Sequence, residues 1–274
     1  MDMRFYIIAN QKKDEGLVTA NRIRDYLISK GMECEMGTQR NDGDGFYTDP
    51  NQIPDGTDIM IVLGGDGTIL DVSRAAILKD IPILGINMGT MGYLAQVDVE
   101  GFESALDRVI AGDYKLESRM MLEGSYDGKA THALNDITIT RNGTLRMVPF
   151  ELYVNGQRLR FLRADGIIIS TPTGSTAYNM SAGGPIVEPT AQMMVITAIC
   201  PHTLNLRSIV LSADDVIEIE IVKSRCEVDA FFDGSQGVVL EPGKRIRISR
   251  SERVVKLISL ENISFLDLLQ NKMN

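Results

Sequence analysis

The chain contains 274 residues, of which 44% are hydrophobic, and its formal net charge is −9 at pH 7. This length corresponds to roughly two domains of about 150 residues, and the acidic charge argues against a nucleic-acid partner, because a nucleic-acid surface needs a basic face. No run of about 18 uninterrupted apolar residues occurs, so we expect neither a membrane-spanning helix nor a membrane partner.

The apolar segment Phe5 to Ala9, near the start of the chain, is too short for the apolar region of a signal peptide. The cysteines at positions 34, 200 and 226 lie far apart and form no CxxC pair, which argues against a disulfide framework or a zinc site. We therefore expect a cytoplasmic protein whose thiols are buried and unreactive.

The first part of the chain alternates between strand and helix patterns. Short apolar runs predict buried strands, and apolar residues at helical spacing predict amphipathic helices. The predicted strands are 5–9, 59–63 and 81–86, and the predicted helices lie within 21–29, ended by Gly31, and over 69–78 and 102–110. Residues 38–57, rich in Asp, Gly, Asn and Pro, predict a long mobile loop. The alternation predicts an α/β N-terminal domain with a parallel sheet over residues 1–117.

After about residue 118, the chain changes to short segments in which Val, Ile and Thr alternate with polar residues. These segments are 136–141, 150–154, 166–170, 195–199, 216–222, 245–248 and 254–260, and turn signals such as Asn142-Gly143 and Asn155-Gly156 separate several of them. This pattern predicts a β-rich second domain over residues 118–260. The apolar face of 265–269 predicts a short helix, within 261–274, that returns to the first domain.

A glycine-rich segment, Gly64-Gly65-Asp66-Gly67-Thr68, joins a predicted strand to a predicted helix. Glycines let backbone N–H groups approach a phosphate closely, and the N-terminus of the helix adds a partial positive charge. The chain has neither a GxxxxGK[ST] loop nor a GxGxxG fingerprint, which argues against a P-loop enzyme and a dehydrogenase. A glycine turn whose Asp caps the helix is the plainer alternative, but the Asp and Thr in this frame favour a phosphate-binding loop.

A second polar segment, Thr171 to Tyr178, follows a predicted strand. Its Ser175 or Thr176 would cap a helix that places Tyr178 and Ser181 on neighbouring positions. Hydroxyl and N–H groups at such a helix end suit a sugar or an amide, and Tyr178 would stack on a base. A capped helix alone is the plainer alternative, but it does not explain so dense a run of polar groups.

Two further segments place polar residues beside predicted strands. The pair Asn135-Asp136 directly precedes a strand, where an exposed turn is the plainer explanation if the pair is taken alone. The segment 87–94, with the sequence NMGTMGYL, follows the strand 81–86. Ligands of open α/β sheets bind beyond the carboxyl ends of the strands, so we expect this segment to lie beside the glycine loop.

Together, the four segments resemble those of the NAD kinase family in order and approximate spacing, from the Gly64 loop to about residue 260. The segment Thr171 to Tyr178 is the most specific, since the glycine loop is shared with diacylglycerol and sphingosine kinases and, approximately, with phosphofructokinases. The resemblance implies an enzyme that transfers the γ-phosphate of ATP, or a phosphate of polyphosphate, to the adenosine-ribose 2′-hydroxyl of NAD. It also implies an active site in a cleft between the α/β and β-rich domains.

The resemblance further implies roles for individual residues. Asp66 would accept the proton of the ribose hydroxyl, and Gly67 would approach the dinucleotide or the donor phosphates. Tyr93 would form part of the adenine pocket, while Asn135 and Asp136 would hold the nicotinamide-side ribose. The remaining implied contacts are Asp165, Ala177 and Tyr178 at the nicotinamide or adenine ends, Thr176 and Ser181 near the adenosine, and Arg146 and Arg163, often from a neighbouring subunit of a homodimer or homotetramer.

Late in the second domain, the chain departs from the family pattern. It reads Asp233-Gly234-Ser235-Gln236 where the family often carries Asp-Gly-Gln, so Ser235 or Gln236 takes the glutamine position. We include Gln236 among the candidate ligand contacts.

Phosphoryl transfer depends mainly on positioning and charge neutralisation. Because the chain is acidic and its implied ligands carry several phosphates, we expect a divalent cation, Mg²⁺. The sequence leaves open whether Asp66 accepts a proton or binds the cation. It also leaves open a lipid or sugar kinase, against which Thr171 to Tyr178 argues, and a catalytically silent NAD(P)-binding sensor, against which Asp66 argues.

Overall fold

The computed structural model describes residues 3–37, 40–41, 46–89, 92–143, 145–203, 206–222, 226–260 and 264–273. The chain forms two compact units, one of residues 1–118 with 255–274 and the other of residues 119–254. In the described residues, none of the helices is both long and apolar enough to cross a membrane.

The first unit is built on a parallel sheet whose strands are connected by helices. Its elements up to residue 110 are β1 (Arg4–Ala9), α1 (Val18–Ser29), β2 (Glu33–Gly37), β3 (Arg40–Asn41), β4 (Phe46–Tyr47), β5 (Ile59–Gly64), α2 (Asp66–Lys79), β6 (Ile83–Asn87), β7 (Val97–Asp98) and α3 (Phe102–Ile110). The parallel strands are ordered β6-β5-β1-β2, with β7 along β6, and β3 pairs with β4 separately. Every residue of β5 is buried, as expected for a strand of a covered parallel sheet.

Three strands of this sheet end at the same edge. Ala9 of β1 is in register with Leu63 of β5, and Gly64 of β5 is in register with Asn87 of β6. The loops that follow β1, β5 and β6 therefore meet at the carboxyl edge of the sheet, where α/β folds bind ligands.

Several elements of the first unit start or end a few residues away from their predicted bounds. Helix α2 begins at Asp66 rather than at 69, because the glycine loop forms its first turn and Thr68 N–H donates to the Gly65 carbonyl at 3.0 Å. Residues 38–39 and 42–45 of the predicted loop 38–57 lie outside the described residues. The described part of that loop contains β3, β4 and a short 3₁₀ turn at Pro50–Gln52.

The second unit is antiparallel and rich in strands. Its elements are β8 (Lys115–Tyr126, entering from the first unit), β9 (Lys129–Ala133), β10 (Asp136–Asn142), β11 (Val148–Val154), β12 (Gln157–Ala164), β13 (Gly166–Ser170), α4 (Tyr178–Ser181), β14 (Met193–Ile199), β15 (Ile209–Ser212), β16 (Ile217–Ile221), β17 (Glu227–Phe232), β18 (Ser235–Val239) and β19 (Arg245–Ser259, leaving toward the first unit). One sheet has the order β15-β14-β13-β10-β17-β18. A second antiparallel set joins β12, β11, β16 and the start of β19, and β8 pairs with β9.

Alternating residues of these strands form one apolar core in the second unit. Ile137, Ile139, Ile167 and Ile169 of the six-stranded sheet belong to the same buried cluster as Phe150 of β11. This alternation is the period of two of a β-strand, although every residue of β13 is buried, so the other face of that strand is covered as well. The predicted fold class, an α/β domain with a parallel sheet plus a β-rich domain, is confirmed.

Strand β19 replaces the two strands predicted at 245–248 and 254–260. The strand continues without a break through the polar stretch between them, where Ser251 is buried and its hydroxyl accepts the Arg253 N–H at 3.0 Å. Leu257 pairs in parallel with Ile83, so residues 255–260, which we assigned from sequence to the second domain, lie in the first unit. Helix α5 (Phe265–Met273) follows in the same unit.

The expectation of buried thiols is wrong for Cys200, which is exposed. This cysteine directly follows β14 and has a positive φ of 45°, so its side chain leaves the sheet. Cys34 and Cys226 are partly exposed.

Candidate active site

The first unit contains an open cavity of about 400 Å³ at the carboxyl edge of its sheet. Its lining comprises Gly65 to Thr68 of the glycine loop, Asn10 and Lys13 after β1, Asp71 of α2, Gly92, and Lys272 of α5. The glycine loop and part of the segment 87–94 therefore lie together, as the sequence indicated. Thr90 and Met91 of that segment lie outside the described residues.

The carboxylate of Asp66 is held by the backbone of residues 93–95. Oδ2 accepts the Tyr93 N–H at 2.8 Å, and Oδ1 accepts the N–H groups of Leu94 at 3.0 Å and Ala95 at 3.3 Å. Asp66 does not cap its own helix, because the capping position is Gly65 and no side chain caps α2. The plainer alternative of a helix-capping Asp is therefore wrong, and the side chain fixes a neighbouring loop instead.

Two glycines lie beside Asp66 at the cavity, and they differ in the space available for a side chain. A Cβ at Gly92 would overlap Oδ1 of Asp66, so the backbone there can approach the carboxylate only without a side chain. A Cβ at Gly67 would meet no atom of the described residues within 4 Å. Packing among the described residues therefore does not require glycine at 67, which lines the cavity.

Tyr93 lies beside Asp66 and the C-terminal helix. Its ring packs on that of Phe265, with centroids 6.4 Å apart, and the ammonium nitrogen of Lys272 lies 4.7 Å from the Tyr93 ring centroid. Burial, and in second place the charge of Asp66, raises the pKa of Tyr93 above its ordinary value. The phenol therefore stays protonated at neutral pH and can donate a hydrogen bond.

In the second unit, Asn135 and Asp136 form a turn held by Asp233. The Asp233 carboxylate accepts the N–H groups of Leu134 at 2.8 Å, Asn135 at 2.7 Å and Asp136 at 3.2 Å. The pair is therefore not a free exposed turn: Asn135 is partly exposed and Asp136 is buried. Sequence analysis missed the role of Asp233, although the departure of its segment from the family pattern marked it.

Asp136 is a buried carboxylate with a perturbed protonation equilibrium. Only 5% of the residue is exposed, and Thr138 Oγ1 donates to its Oδ1 at 2.9 Å. Burial raises the pKa of Asp136 to about 6, the hydrogen bond from Thr138 opposes this rise, and the charge of Asp233 adds to it. Perturbed carboxylates of this kind are common at functional sites.

The segment Thr171 to Tyr178 packs directly on the Asn135-Asp136 turn. Thr171 donates from Oγ1 to the Leu134 carbonyl at 2.6 Å and from its N–H to the Asn135 carbonyl at 2.9 Å. A Cβ at Gly174 would overlap the Asn135 carbonyl, so this glycine permits the close contact. Two of the polar segments predicted from sequence are therefore parts of one site.

The expected helix cap by Ser175 or Thr176 is wrong. Residues 173–176 form a 3₁₀ turn, and the four-residue helix α4 that follows has Ala177 at its capping position. The Ser175 hydroxyl instead donates to the Val187 carbonyl at 3.1 Å and accepts the Val187 N–H at 2.9 Å, because the loop after α4 folds back over it. Thr176 is partly exposed, and its hydroxyl donates to the Thr173 carbonyl at 3.4 Å.

Helix α4 presents side chains to the surface as the sequence indicated. Tyr178, 46% exposed, and Ser181 are one turn apart, and both are exposed. Asn179 between them is fully buried; its amide donates to the Ser175 and Pro185 carbonyls, each at 3.0 Å. Asn179 therefore fixes the segment, which leaves Tyr178 and Ser181 available to a ligand.

Thr173 is a candidate ligand group that sequence analysis missed. Its hydroxyl is buried and, within the described residues, has no hydrogen-bond partner. Native structures rarely leave a buried hydroxyl unpaired, so this oxygen suits a ligand or a bound water. Its position two residues before Ser175 in the polar run was the available signal.

Asp165 is tied to Arg141. Both carboxylate oxygens accept hydrogen bonds from the guanidinium group, at 2.9 and 3.1 Å, and both side chains are mostly buried. Arg146 and Arg163 are exposed. Gln236 lies in β18, beside Ser235, whose hydroxyl donates to the Phe232 carbonyl at 3.3 Å; the structure does not describe the Gln236 side chain.

Comparisons with known proteins all match NAD kinases. Family models of the ATP-NAD kinase N-terminal and C-terminal domains match residues 5–114 and 134–260. An NAD kinase of Lachnospira eligens is 43% identical over 290 residues, which cover 98% of this chain and 99% of the relative. An NAD kinase of Caldanaerobacter subterraneus subsp. tengcongensis is 40% identical, with 97% of each chain covered.

Solved structures agree with these sequence matches. Yeast NADH kinase in complex with NADH is 25% identical with a TM-score of 0.88, and the alignment covers 99% of this chain and 87% of that one. An NAD kinase from Archaeoglobus fulgidus in complex with ATP is 27% identical with a TM-score of 0.80, with 98% of each chain covered. Both family models match, and relatives at 40% identity or more align over nearly the whole length, so the chain belongs to the NAD kinase family.

Proposed function

We propose that the chain transfers the γ-phosphoryl group of ATP to the adenosine-ribose 2′-hydroxyl of NAD, giving NADP and ADP. The observation that carries the proposal is Asp66, a carboxylate fixed by three backbone N–H groups on the wall of a cavity beside the glycine loop. Family relatives were solved with ATP and with NADH, which supports these two ligand classes.

In the proposed reaction, the 2′-oxygen forms a bond to the γ-phosphorus while the bond from that phosphorus to the β–γ bridging oxygen breaks. The hydroxyl proton passes to the Asp66 carboxylate, and ADP leaves. Phosphoryl transfer passes through a loose transition state, so the proton can move late and a weak base is sufficient. The three N–H groups that hold Asp66 keep the carboxylate in one orientation, which serves positioning more than basicity.

In the second unit, the proposed role of the site is to bind NAD. Asn135 and Asp136 would hold ribose hydroxyls, and the exposed Tyr178 ring would stack on a base. Thr176, Ala177, Ser181, Asp165 and Gln236 are the other proposed contacts. Because Asp233 and Thr171 hold the backbone of the Asn135-Asp136 turn, this part of the site is ordered before the ligand binds.

Mg²⁺ is the proposed cation. In the described residues, no cluster of three or more His, Cys, Asp or Glu side chains is arranged to hold a metal. Mg²⁺ does not need one, since it binds through one or two carboxylates together with substrate phosphates. Asp66 and Asp71 line the same cavity and fit this requirement; bound there, the ion would neutralise charge on the donor phosphates.

We also propose that the protein acts in the cytoplasm as a homodimer or homotetramer. The exposed positions of Arg146 and Arg163 in the second unit support a homo-oligomer, since both residues lie on the surface. Sedimentation velocity tests the assembly: a fully active monomer contradicts it.

The decisive experiment incubates the purified protein with ATP, Mg²⁺ and NAD and measures NADP with an NADP-specific dehydrogenase. Parallel reactions replace ATP with polyphosphate, or NAD with NADH, diacylglycerol, sphingosine or fructose 6-phosphate. With [γ-³²P]ATP as the donor, we expect label in NADP and none in the lipids or the hexose. Label in a lipid or hexose, with none in NADP, contradicts the proposal, and an inactive protein that still binds NAD supports the sensor alternative.

A further inference from the structure

Two lysines line the cavity of the glycine loop and have no role in the reaction described so far. Lys13 follows β1, and Lys272 lies in the last turn of α5. We propose that Lys13 and Lys272 bind the phosphate groups of the phosphoryl donor. This inference rests on the proposed function, because it names the groups that hold the donor of that reaction.

The Lys13 ammonium group lies over the glycine turns of the sheet edge. A Cβ at Gly65 would be 3.1 Å from its nitrogen, and a Cβ at Gly89 would be 3.8 Å from it. Gly65 follows β5 and Gly89 lies just after β6, so the ammonium group stands where two adjacent parallel strands end. Helix α2 begins there too, and its first N–H groups add positive potential at the same place.

The backbone of Lys13 is fixed relative to the glycine loop by Asn10. The Asn10 carbonyl accepts the Lys13 N–H at 2.9 Å, and the Asn10 side-chain amide donates to Thr68 Oγ1 at 3.3 Å. Within the part of the chain that the structure describes, the Lys13 ammonium has no carboxylate partner, whereas Lys79 pairs with Asp55 at 2.7 Å. Lys13 therefore carries an uncompensated positive charge on a preorganised turn.

Lys272 is held by an aromatic ring instead of a carboxylate. Its ammonium nitrogen lies 4.7 Å from the ring centroid of Tyr93, the residue whose N–H binds Asp66. A cation–π contact engages one side of the ammonium group, so N–H donors remain for a phosphate oxygen. Because α5 supplies this residue, the C-terminal segment contributes to the donor site.

Charge explains why the cavity needs these groups. It is lined by two carboxylates, Asp66 and Asp71, in a chain of net charge −9. A triphosphate brings a further charge of about −4, and one divalent cation neutralises about half of it. With the two carboxylates included, a net charge of about −4 remains; Lys13 and Lys272 offset about half of it, and lysine is a common point-charge partner of phosphates.

The test uses Lys13→Met and Lys272→Met, with Lys12→Met as the matched control. Lys12 is the neighbouring residue, is exposed, loses the same charge and does not line the cavity. Three quantities are measured at fixed Mg²⁺: the KM for ATP, the KM for NAD, and the binding constant of tripolyphosphate, a probe with no nucleoside. Each cavity variant should raise the KM for ATP and weaken tripolyphosphate binding about tenfold, or roughly 1.4 kcal/mol. Lys12→Met should leave both values as in wild type, and none of the three variants should change the KM for NAD.

Other outcomes separate the inference from the proposed function. If tripolyphosphate binds wild type and both cavity variants equally, or if only the KM for NAD rises, the inference is wrong. If wild type makes no NADP, the proposed function fails, and tripolyphosphate binding still decides the role of the lysines. Lys13→Arg, which keeps the charge, should recover most of the affinity for tripolyphosphate; a loss as large as that of Lys13→Met contradicts a phosphate contact.

Discussion

Asp136 should bind its ligand at the expense of fold stability, and Asp136→Asn measures the effect. Burial raises the pKa of this carboxyl from 3.8 to about 6. That shift of about two units corresponds to roughly 3 kcal/mol at about 1.36 kcal/mol per unit. This value is an upper limit for the amount by which the ionised Asp136 carboxylate destabilises the folded state. Asparagine keeps the oxygen that accepts the Thr138 hydroxyl but carries no charge to desolvate. We expect the variant to unfold with a free energy about 1–3 kcal/mol higher than wild type at pH 7.5.

The contribution of Asp136 to stability should depend on pH. The folded chain binds the Asp136 proton more tightly than the unfolded chain does, because the folded-state pKa is the higher one. The favourable contribution of Asp136 is therefore fully present below about pH 3.8 and is lost as pH rises through about 6. Asp136→Asn removes this loss, so the gain should grow from pH 4 to pH 6 and then level off.

Urea unfolding at pH 4.5, 5.5 and 7.5 measures the difference, provided that the m-values of the two proteins agree. A variant less stable than wild type at pH 7.5 refutes the reasoning, as does a gain that is the same at every pH. The same preparation should have a raised KM for NAD, since Asp136 is a proposed ribose contact. Stabilisation combined with weakened binding distinguishes a functional carboxylate from one that serves packing.

Three other perturbations test the site. Asp66→Asn should lower kcat about 100-fold or more, the range of general-base catalysis, with little change in the KM for NAD; near wild-type kcat contradicts both the proton-acceptor and the cation role. Gly92→Ala should displace the Asp66 carboxylate and destabilise the fold by about 1–3 kcal/mol in thermal unfolding. Gly67→Ala should leave the stability unchanged or raise it, and should lower only the turnover. Equal effects at both positions contradict the assigned geometry. Asp233→Asn should raise the KM for NAD and cost about 1.5–3 kcal/mol of stability through its lost charged hydrogen bonds; unchanged NAD kinetics would remove Asp233 from the positioning of the Asn135 turn.

The fold was predictable from sequence where one physical signal dominates. Helix α3 has the predicted bounds because Phe102, Leu106 and Val109 repeat at helical spacing and are all buried. Strand β12 was missed because its polar–apolar pattern does not match its burial: Leu159 and Phe161 are exposed, whereas Leu162 and Ala164 are buried. This strand lies at the edge of its sheet, where polar side chains are common on both faces.

The site was predictable only in part, because sequence shows which polar groups are present and not which ones are already used. The run Thr171 to Tyr178 was identified, yet the Ser175 hydroxyl is consumed by the Val187 backbone, twelve residues away. Lys13 and Lys272 lie at opposite ends of the chain, and no local pattern connects them to one cavity. Such groups come together through the tertiary fold, which a motif does not encode.

The same arrangement of a carboxylate and backbone N–H groups occurs in both units, so this arrangement alone does not identify a catalytic aspartate. Asp66 accepts the N–H groups of residues 93–95, and Asp233 accepts those of residues 134–136. In each case, a carboxylate beside glycine holds three consecutive backbone donors and thereby fixes the backbone of that segment. The proposed catalytic role of Asp66 does not follow from this clamp, because Asp233 makes the same one without lining the cavity. What distinguishes Asp66 is its place in that cavity, next to Gly67 and Lys13, and kinetics of Asp66→Asn beside Asp233→Asn can therefore separate chemistry from positioning.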